Sequence, residues 1–164
     1  MVRNAKRLQV RLCIPGRTDD PISWHEARVV RTDERLDAAL IKIEGTGYPT
    51  LPICGADRAL ANGTELFHVA FHFGNQISDS RNQLRPTIFQ GMAFSSQSVG
   101  GIERVFVDME AKSGCSGGAV MDRRDGTVVG ILCSSTTSQN KNMTEEINYI
   151  LPLYHIWDAW IRNR

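Results

Sequence analysis

The chain has 164 residues, 41% of them hydrophobic and 23% charged, with a formal net charge of +1. That length fits one globular domain or two small half-domains sharing an interface. The balanced charge argues against a general affinity for nucleic acid or membrane surfaces, and no apolar run approaches membrane-spanning length.

The predicted elements are mostly short strands. Met1 to Arg7 lead straight into one with no secretory signal ahead of them, so the chain as written reads as cytoplasmic. Leu8 to Ile14 alternates and stops at Pro15-Gly16. The basic residues Arg3, Lys6, Arg7 and Arg11 are expected to form a solvated strand face. Trp24–Arg31 and Ala38–Ile43 follow, the latter ended by Gly45 and Gly47. Leu66–Phe73, Thr87–Phe94 and Ile102–Asp108 come next. Ala119–Met121 and Thr127–Cys133 flank Asp125-Gly126, a hairpin signal, and Ile147–Leu151 is the last strand. The polar stretches 75–86 and 134–146 read as long loops. Only the end is helical in pattern, with Ile156, Trp157, Trp160 and Ile161 on one core-facing stripe. Many short strands, frequent turns and one terminal helix predict an all-β barrel architecture.

Four cysteines, Cys13, Cys54, Cys115 and Cys133, form no CxxC pair and no zinc-ligand spacing. Free buried thiols are expected, with no metal and no cofactor. The most informative stretch is Gly114-Cys115-Ser116-Gly117-Gly118. A serine hydroxyl is a poor nucleophile unless the backbone presents it and a base takes its proton. Glycines permit the tight turn, in which the amides of Gly114 and Ser116 can point at one spot where an oxyanion could sit. An ordinary Gly/Ser turn between strands is the other reading of these five residues alone.

The chain resembles the trypsin-like serine proteases, most closely their short-loop, HtrA-like bacterial branch. Asp37-Ala38-Ala39-Leu40-Ile41-Lys42-Ile43 is similar to the family's D-x-x-L-[LIV]-K-[LI] strand, and residues 114–118 match G-x-S-G-G. Val129-Gly130-Ile131 resembles the strand behind the specificity pocket, and Ile147 to Leu153 the closing strand before the terminal helix. The resemblance implies two antiparallel six-stranded-type β-barrels, the first incomplete, with a C-terminal helix. The partial first half would span residues 1–60 and the second 61–164. It implies a serine endopeptidase acting on polypeptide, without nucleic acid or membrane partners. Ser116 would be the nucleophile, Asp37 the residue that orients the catalytic imidazole, and the Gly114 and Ser116 amides the oxyanion hole. Glu110, six positions before Ser116, either lies at the base of the pocket and favours a basic substrate side chain, or faces solvent. Cys133, Ser134 and Ser135 would line the pocket wall and pair with substrate backbone.

The histidine departs from the family pattern. His25, His68, His72 and His155 all lack the T-A-x-H or T-N-x-H context. His68 and His72 alternate with apolar residues, as surface or packed histidines would. The expectation is that the first strands, and the catalytic histidine with them, are missing from this chain, leaving an impaired peptidase. A non-catalytic peptide-binding module is the alternative.

Overall fold

A computed structural model describes residues 7–12, 24–71, 86–112, 114–140, 143–157 and 160, with only the backbone course given for 134–147. The chain divides into two compact units, Met1–Thr50 and Leu51–Arg164.

The first unit is a three-stranded antiparallel sheet in chain order: β1 (Gln9–Arg11), β2 (Trp24–Asp33) and β3 (Ala38–Ile43). Cys13, Ile14 and the Pro15-Gly16 turn lie outside the described residues. Gln9 stands opposite Glu26, and both Arg7 and Gln9 donate to the Glu26 carboxylate. Arg7 and Glu26 are exposed, so this pairing helps set register more than it stabilises. The β2–β3 hairpin turns at residues 34–37, where Asp33 Oδ1 accepts the amides of Arg35 at 2.9 Å and Leu36 at 3.1 Å. This local side-chain cap diverts the backbone from the ladder. Asp37 then enters β3 at φ 49, a left-handed conformation that aspartate tolerates better than most residues.

The second unit is a closed six-stranded barrel. Its strands are β4 (Glu65–Ala70), β5 (Thr87–Val99), β6 (Ile102–Val107), β7 (Ala119–Asp122), β8 (Val128–Asn140) and β9 (Met143–Pro152). They close in the order β4-β5-β6-β9-β8-β7, every pair antiparallel. Alternation places Leu66, His68 and Ala70 of β4 and Phe89 and Ala93 of β5 in the interior. Val120, Leu132 and Ile150 are wholly buried there as well. Closure through β4 and β7, with His68 opposite Val120, pairs strands that would otherwise be edges. Gly130 has no alternative at its position: a Cβ would sit 2.0 Å from Ile150 Cγ2 and 2.8 Å from the Leu151 carbonyl oxygen.

Two sequence expectations need correction. The polar stretch 134–146 is not a loop: β8 continues to Asn140 and β9 begins at Met143, with Ser135 opposite Ile147 and Thr137 opposite Glu145. Backbone pairing and the β preference of threonine sustain this two-stranded arm without an apolar pattern. The terminal helix opens with α1, Tyr154–Ile156, and Trp157 and Trp160 continue it in a wider π-helical turn. Ile156 and Trp160 are buried, Trp157 is half-buried, and Ile161 lies outside the described residues. Finally, Ile53 forms a parallel bridge to Val128, flanked by backbone bonds from Cys54 to Val128 and from Val128 to Pro52. No strand was expected there.

The β7–β8 hairpin is held by charge. Asp122 is fully buried and accepts hydrogen bonds from Arg58 Nη2 at 2.6 Å, Arg124 Nη2 at 2.7 Å and the Arg124 amide at 2.9 Å. Arg58 also reaches Asp125 at 2.8 Å, so one guanidinium ties the 52–58 segment to both ends of the turn. The bonds from Arg124, with help from Arg58, hold the Asp122 carboxyl well below the usual carboxylate range. An open cleft of about 520 Å³ lies over this network, lined by Cys54, Gly55, Asp57, Arg58, Arg124 and Asp125. Its arginines are already engaged with the neighbouring carboxylates. Asp122→Ala is expected to lower unfolding free energy by about 3 kcal/mol through loss of charged hydrogen bonds. Urea denaturation at neutral pH checks this, and Arg124→Ala should cost less because that side chain is mostly exposed.

Candidate functional site

The segment from β6 to β7 presents Ser116. At its start, the Asp108 amide donates to the Met92 carbonyl at 3.2 Å, while Asp108 Oδ1 accepts the Met92 amide at 2.6 Å. Met109 is buried, and its carbonyl accepts Asn148 Nδ2 at 2.9 Å. The chain then emerges at Glu110, whose exposed carboxylate pairs with Lys112 Nζ at 2.6 Å. The Cys115 amide donates back to the Lys112 carbonyl at 2.9 Å, and the buried Cys115 Sγ accepts the Lys112 amide at 3.4 Å. Beyond the serine, the Gly117 amide donates to the Leu132 carbonyl at 2.8 Å, and the Leu132 amide returns to the Gly118 carbonyl at 3.0 Å.

These anchors leave Ser116 exposed while Cys115, its neighbour, is wholly buried. Gly114 and Gly117 have φ of 92° and 89°, which side-chain-bearing residues adopt only at a cost. Gly118 answers a different need. A Cβ there would lie 2.3 Å from His68 Cε1 and 3.1 Å from the Cys115 carbonyl oxygen.

The other expected site residues fall as follows. Asp37 is exposed at the β2–β3 turn of the first unit. Cys133 is half-buried in β8, opposite Tyr149, and Ser134 and Ser135 continue that strand opposite Asn148 and Ile147. Cys54, Cys115 and Cys133 are free thiols. Burial pushes the Cys54 thiol up, away from reactivity. Among the described residues, no group of three or more His, Cys, Asp or Glu could hold a metal ion. No helix among them is long and apolar enough to cross a membrane.

The histidines are placed differently from one another, and His72 lies outside the described residues. His25 sits in β2 with its ring edge-on to Tyr48 at 5.4 Å. The β2–β3 register puts it at the end of the hairpin remote from Asp37, roughly 25 Å along the strands. His155 Nε2 accepts the Glu103 amide at 3.1 Å. His68 is wholly buried, its ring stacked on Phe89 at 6.1 Å. Its Nδ1 lies 3.0 Å from the Ala119 carbonyl oxygen, so Nδ1 carries the proton. Nε2 is buried with no hydrogen-bond partner. Alternation with apolar residues was the only sequence signal for this interior position. Asn148, Asp108 and Asp122 carried no signal by which their roles could have been found.

A serine displayed in this way by a closed six-stranded antiparallel barrel is the arrangement of the double-barrel serine peptidases. The sequence model of the trypsin-like peptidase domain matches residues 2–131, and the chain belongs to that family. No curated protein sequence matches it. The fold is similar to that of the MamO protease domain from Magnetospirillum magneticum (TM-score 0.72, 18% identity, 96% of this chain and 77% of that one). It is also similar to the HtrA-type protease AlgW solved with a decapeptide (TM-score 0.71, 20% identity, 96% and 44%). A third likeness is to a serine endoprotease from Yersinia pestis (TM-score 0.65, 21% identity, 95% and 48%). The chain thus spans about half the length of the last two.

Burial depresses the His68 pKa below its ordinary value of 6.5, against a smaller opposite effect of the Ala119 bond. The unfolded chain therefore takes up a proton near pH 6.5 that the folded barrel refuses. The stability this histidine permits is fully present above 6.5 and is lost as pH falls toward the depressed folded value. The loss is at most about 1.4 kcal/mol per pH unit. Urea midpoints between pH 7.5 and 5 should show the slope, and His68→Asn should remove its share.

Proposed function

We propose that the chain acts on polypeptides through Ser116 as the nucleophile of a serine endopeptidase site. The observation that carries this reading is the exposed serine on a turn anchored on both sides to the barrel, within a chain of the trypsin-like family. The Ser116 Oγ–H proton passes to an imidazole as Oγ bonds to the scissile carbonyl carbon. The Gly114 and Ser116 amides receive the oxyanion; as it collapses the imidazolium gives that proton to the departing amine, and water, deprotonated by the same imidazole, then hydrolyses the acyl-enzyme. Asp37 orients the imidazole. AlgW, crystallised with peptides, supports polypeptide as the ligand class.

We further propose that hydrolysis by this chain is impaired. His68 Nδ1 bonds the Ala119 carbonyl and its Nε2 has no partner, so neither nitrogen is engaged with Ser116. His155 is engaged with Glu103, and His25 lies at the far end of its hairpin from Asp37. His72 lies outside the described residues; a chain whose Ser116 has no imidazole base loses roughly 10⁶-fold of the rate, while the oxyanion hole and binding retain roughly 10³-fold over water. Covalent labelling of the full chain by a fluorophosphonate is expected to be slow, accelerated by added imidazole and abolished in Ser116→Ala. Equal labelling of the alanine variant would sink the nucleophile assignment. Fast labelling without imidazole would sink the impairment.

Specificity is proposed to involve Glu110, Cys133, Ser134 and Ser135. The Lys112 ammonium already occupies the Glu110 carboxylate, so a basic substrate side chain would have to displace it. Lys112→Ala is expected to raise the preference for an arginine-bearing over a leucine-bearing phosphonate by about threefold, and Glu110→Gln to erase it. Competition labelling of Ser116 measures both.

A further inference from the structure

The nucleophile turn has an interior contact with no part in the chemistry just described. His68, in β4, reaches the chain immediately beyond Ser116 at two points. Its Nδ1–H donates to the Ala119 carbonyl at 3.0 Å. Its Cε1 occupies the space beside Gly118 so closely that a Cβ there would come within 2.3 Å. Phe89, on the neighbouring strand, stacks against the ring with an interplanar angle of 24°.

The chemistry of the ring narrows the role. The Ala119 carbonyl can only accept, so the proton must be on Nδ1. Nε2 is buried with no acceptor in reach, so the other tautomer would bury an unsatisfied N–H and also lose the Ala119 bond. Only the Nδ1–H tautomer makes the Ala119 bond, and it leaves Nε2 as an unpaired acceptor in place of an unpaired donor. β4 and β7 are paired here, His68 opposite Val120, so an interior ring of one strand is tied to the main chain of the next. An aliphatic side chain would fill the volume but leave the Ala119 carbonyl without this donor.

We propose that His68 is a positioning residue for Ser116: its Nδ1–H fixes the Ala119 carbonyl, and its ring sets how closely Gly118 approaches β4, so the turn before them is held in one conformation. This role rests on Ser116 being the nucleophile only for its consequence. The conformational part stands on the His68 contacts themselves. His68 touches neither substrate nor the reacting atoms and acts through the backbone of Gly118 and Ala119.

Two substitutions separate donor from volume. His68→Asn keeps an N–H close to the position of Nδ1, and His68→Leu keeps apolar bulk without a donor. The full chain and both variants are compared, each held well below its own melting temperature. The readouts are amide hydrogen exchange across 114–119 and the second-order rate of fluorophosphonate labelling of Ser116 with added imidazole. The expected result is that His68→Leu loses protection in this segment and labels up to about 10²-fold more slowly, while His68→Asn, which keeps the donor but not the ring, loses clearly less in both. Unchanged exchange in His68→Leu, or equal losses in both variants, overturns the proposal. Should the parent fail to label, the Ser116 assignment fails, and the exchange comparison still decides the role of His68.

Should His68→Leu not fold, the pair Gly118→Ala and His68→Asn/Gly118→Ala replaces it. The added methyl collides with Cε1, an atom that asparagine lacks. Gly118→Ala alone is expected to lose exchange protection across 114–119, and the double variant to regain it. Failure of the double variant to regain it refutes the contact.

Discussion

The arrangement around Ser116 depends on one exchange of backbone hydrogen bonds: Gly117 to the Leu132 carbonyl, and Leu132 back to the Gly118 carbonyl. Leu132 is wholly buried in β8, so the turn is attached to the least mobile kind of element a barrel offers. The exchange brings the main chain of Gly118 close to the interior, where His68 and the Cys115 carbonyl fill the space a side chain would need. Cys115 faces in and Ser116 faces out. Nucleophile display is thus a product of packing beneath the turn as much as of the glycines within it.

Much of this was legible in the sequence where local chemistry is unambiguous. Ala38–Ile43 is bounded by turn residues on both sides and coincides with β3. Leu66, Phe89 and Val105 lie within strands expected from the sequence, and all three are buried in the core. The stretch 134–146 escaped because its strands pair chiefly with each other, so backbone bonds hold them without an inward apolar face. His68 escaped for the opposite reason. A histidine between apolar residues reads as well on the surface as in the core, and only the Ala119 carbonyl and the Gly118 gap decide between them. The Asp122 network joins residues 64 positions apart, which no local pattern encodes.

The two units differ in how they secure their chains. The barrel returns upon itself, and Asp122, Arg58 and Asp125 tie its β7–β8 turn to the segment that leads into it. The first unit is a sheet whose hairpin depends on Asp33 accepting two amides in the turn. In that unit the register separates His25 from Asp37 by most of the length of β2, which argues against treating them as partners.

Asp37 itself occupies a left-handed backbone position, φ 49, at the mouth of that hairpin. Among side-chain-bearing residues, aspartate and asparagine enter this conformation most readily. A single-base codon change that exchanges the carboxylate for an amide would therefore leave the turn intact. The fold offers almost no purifying pressure on the charge at this site. The turn geometry thus accepts an acid or an amide at position 37 alike, and the backbone does not make the choice of charge there.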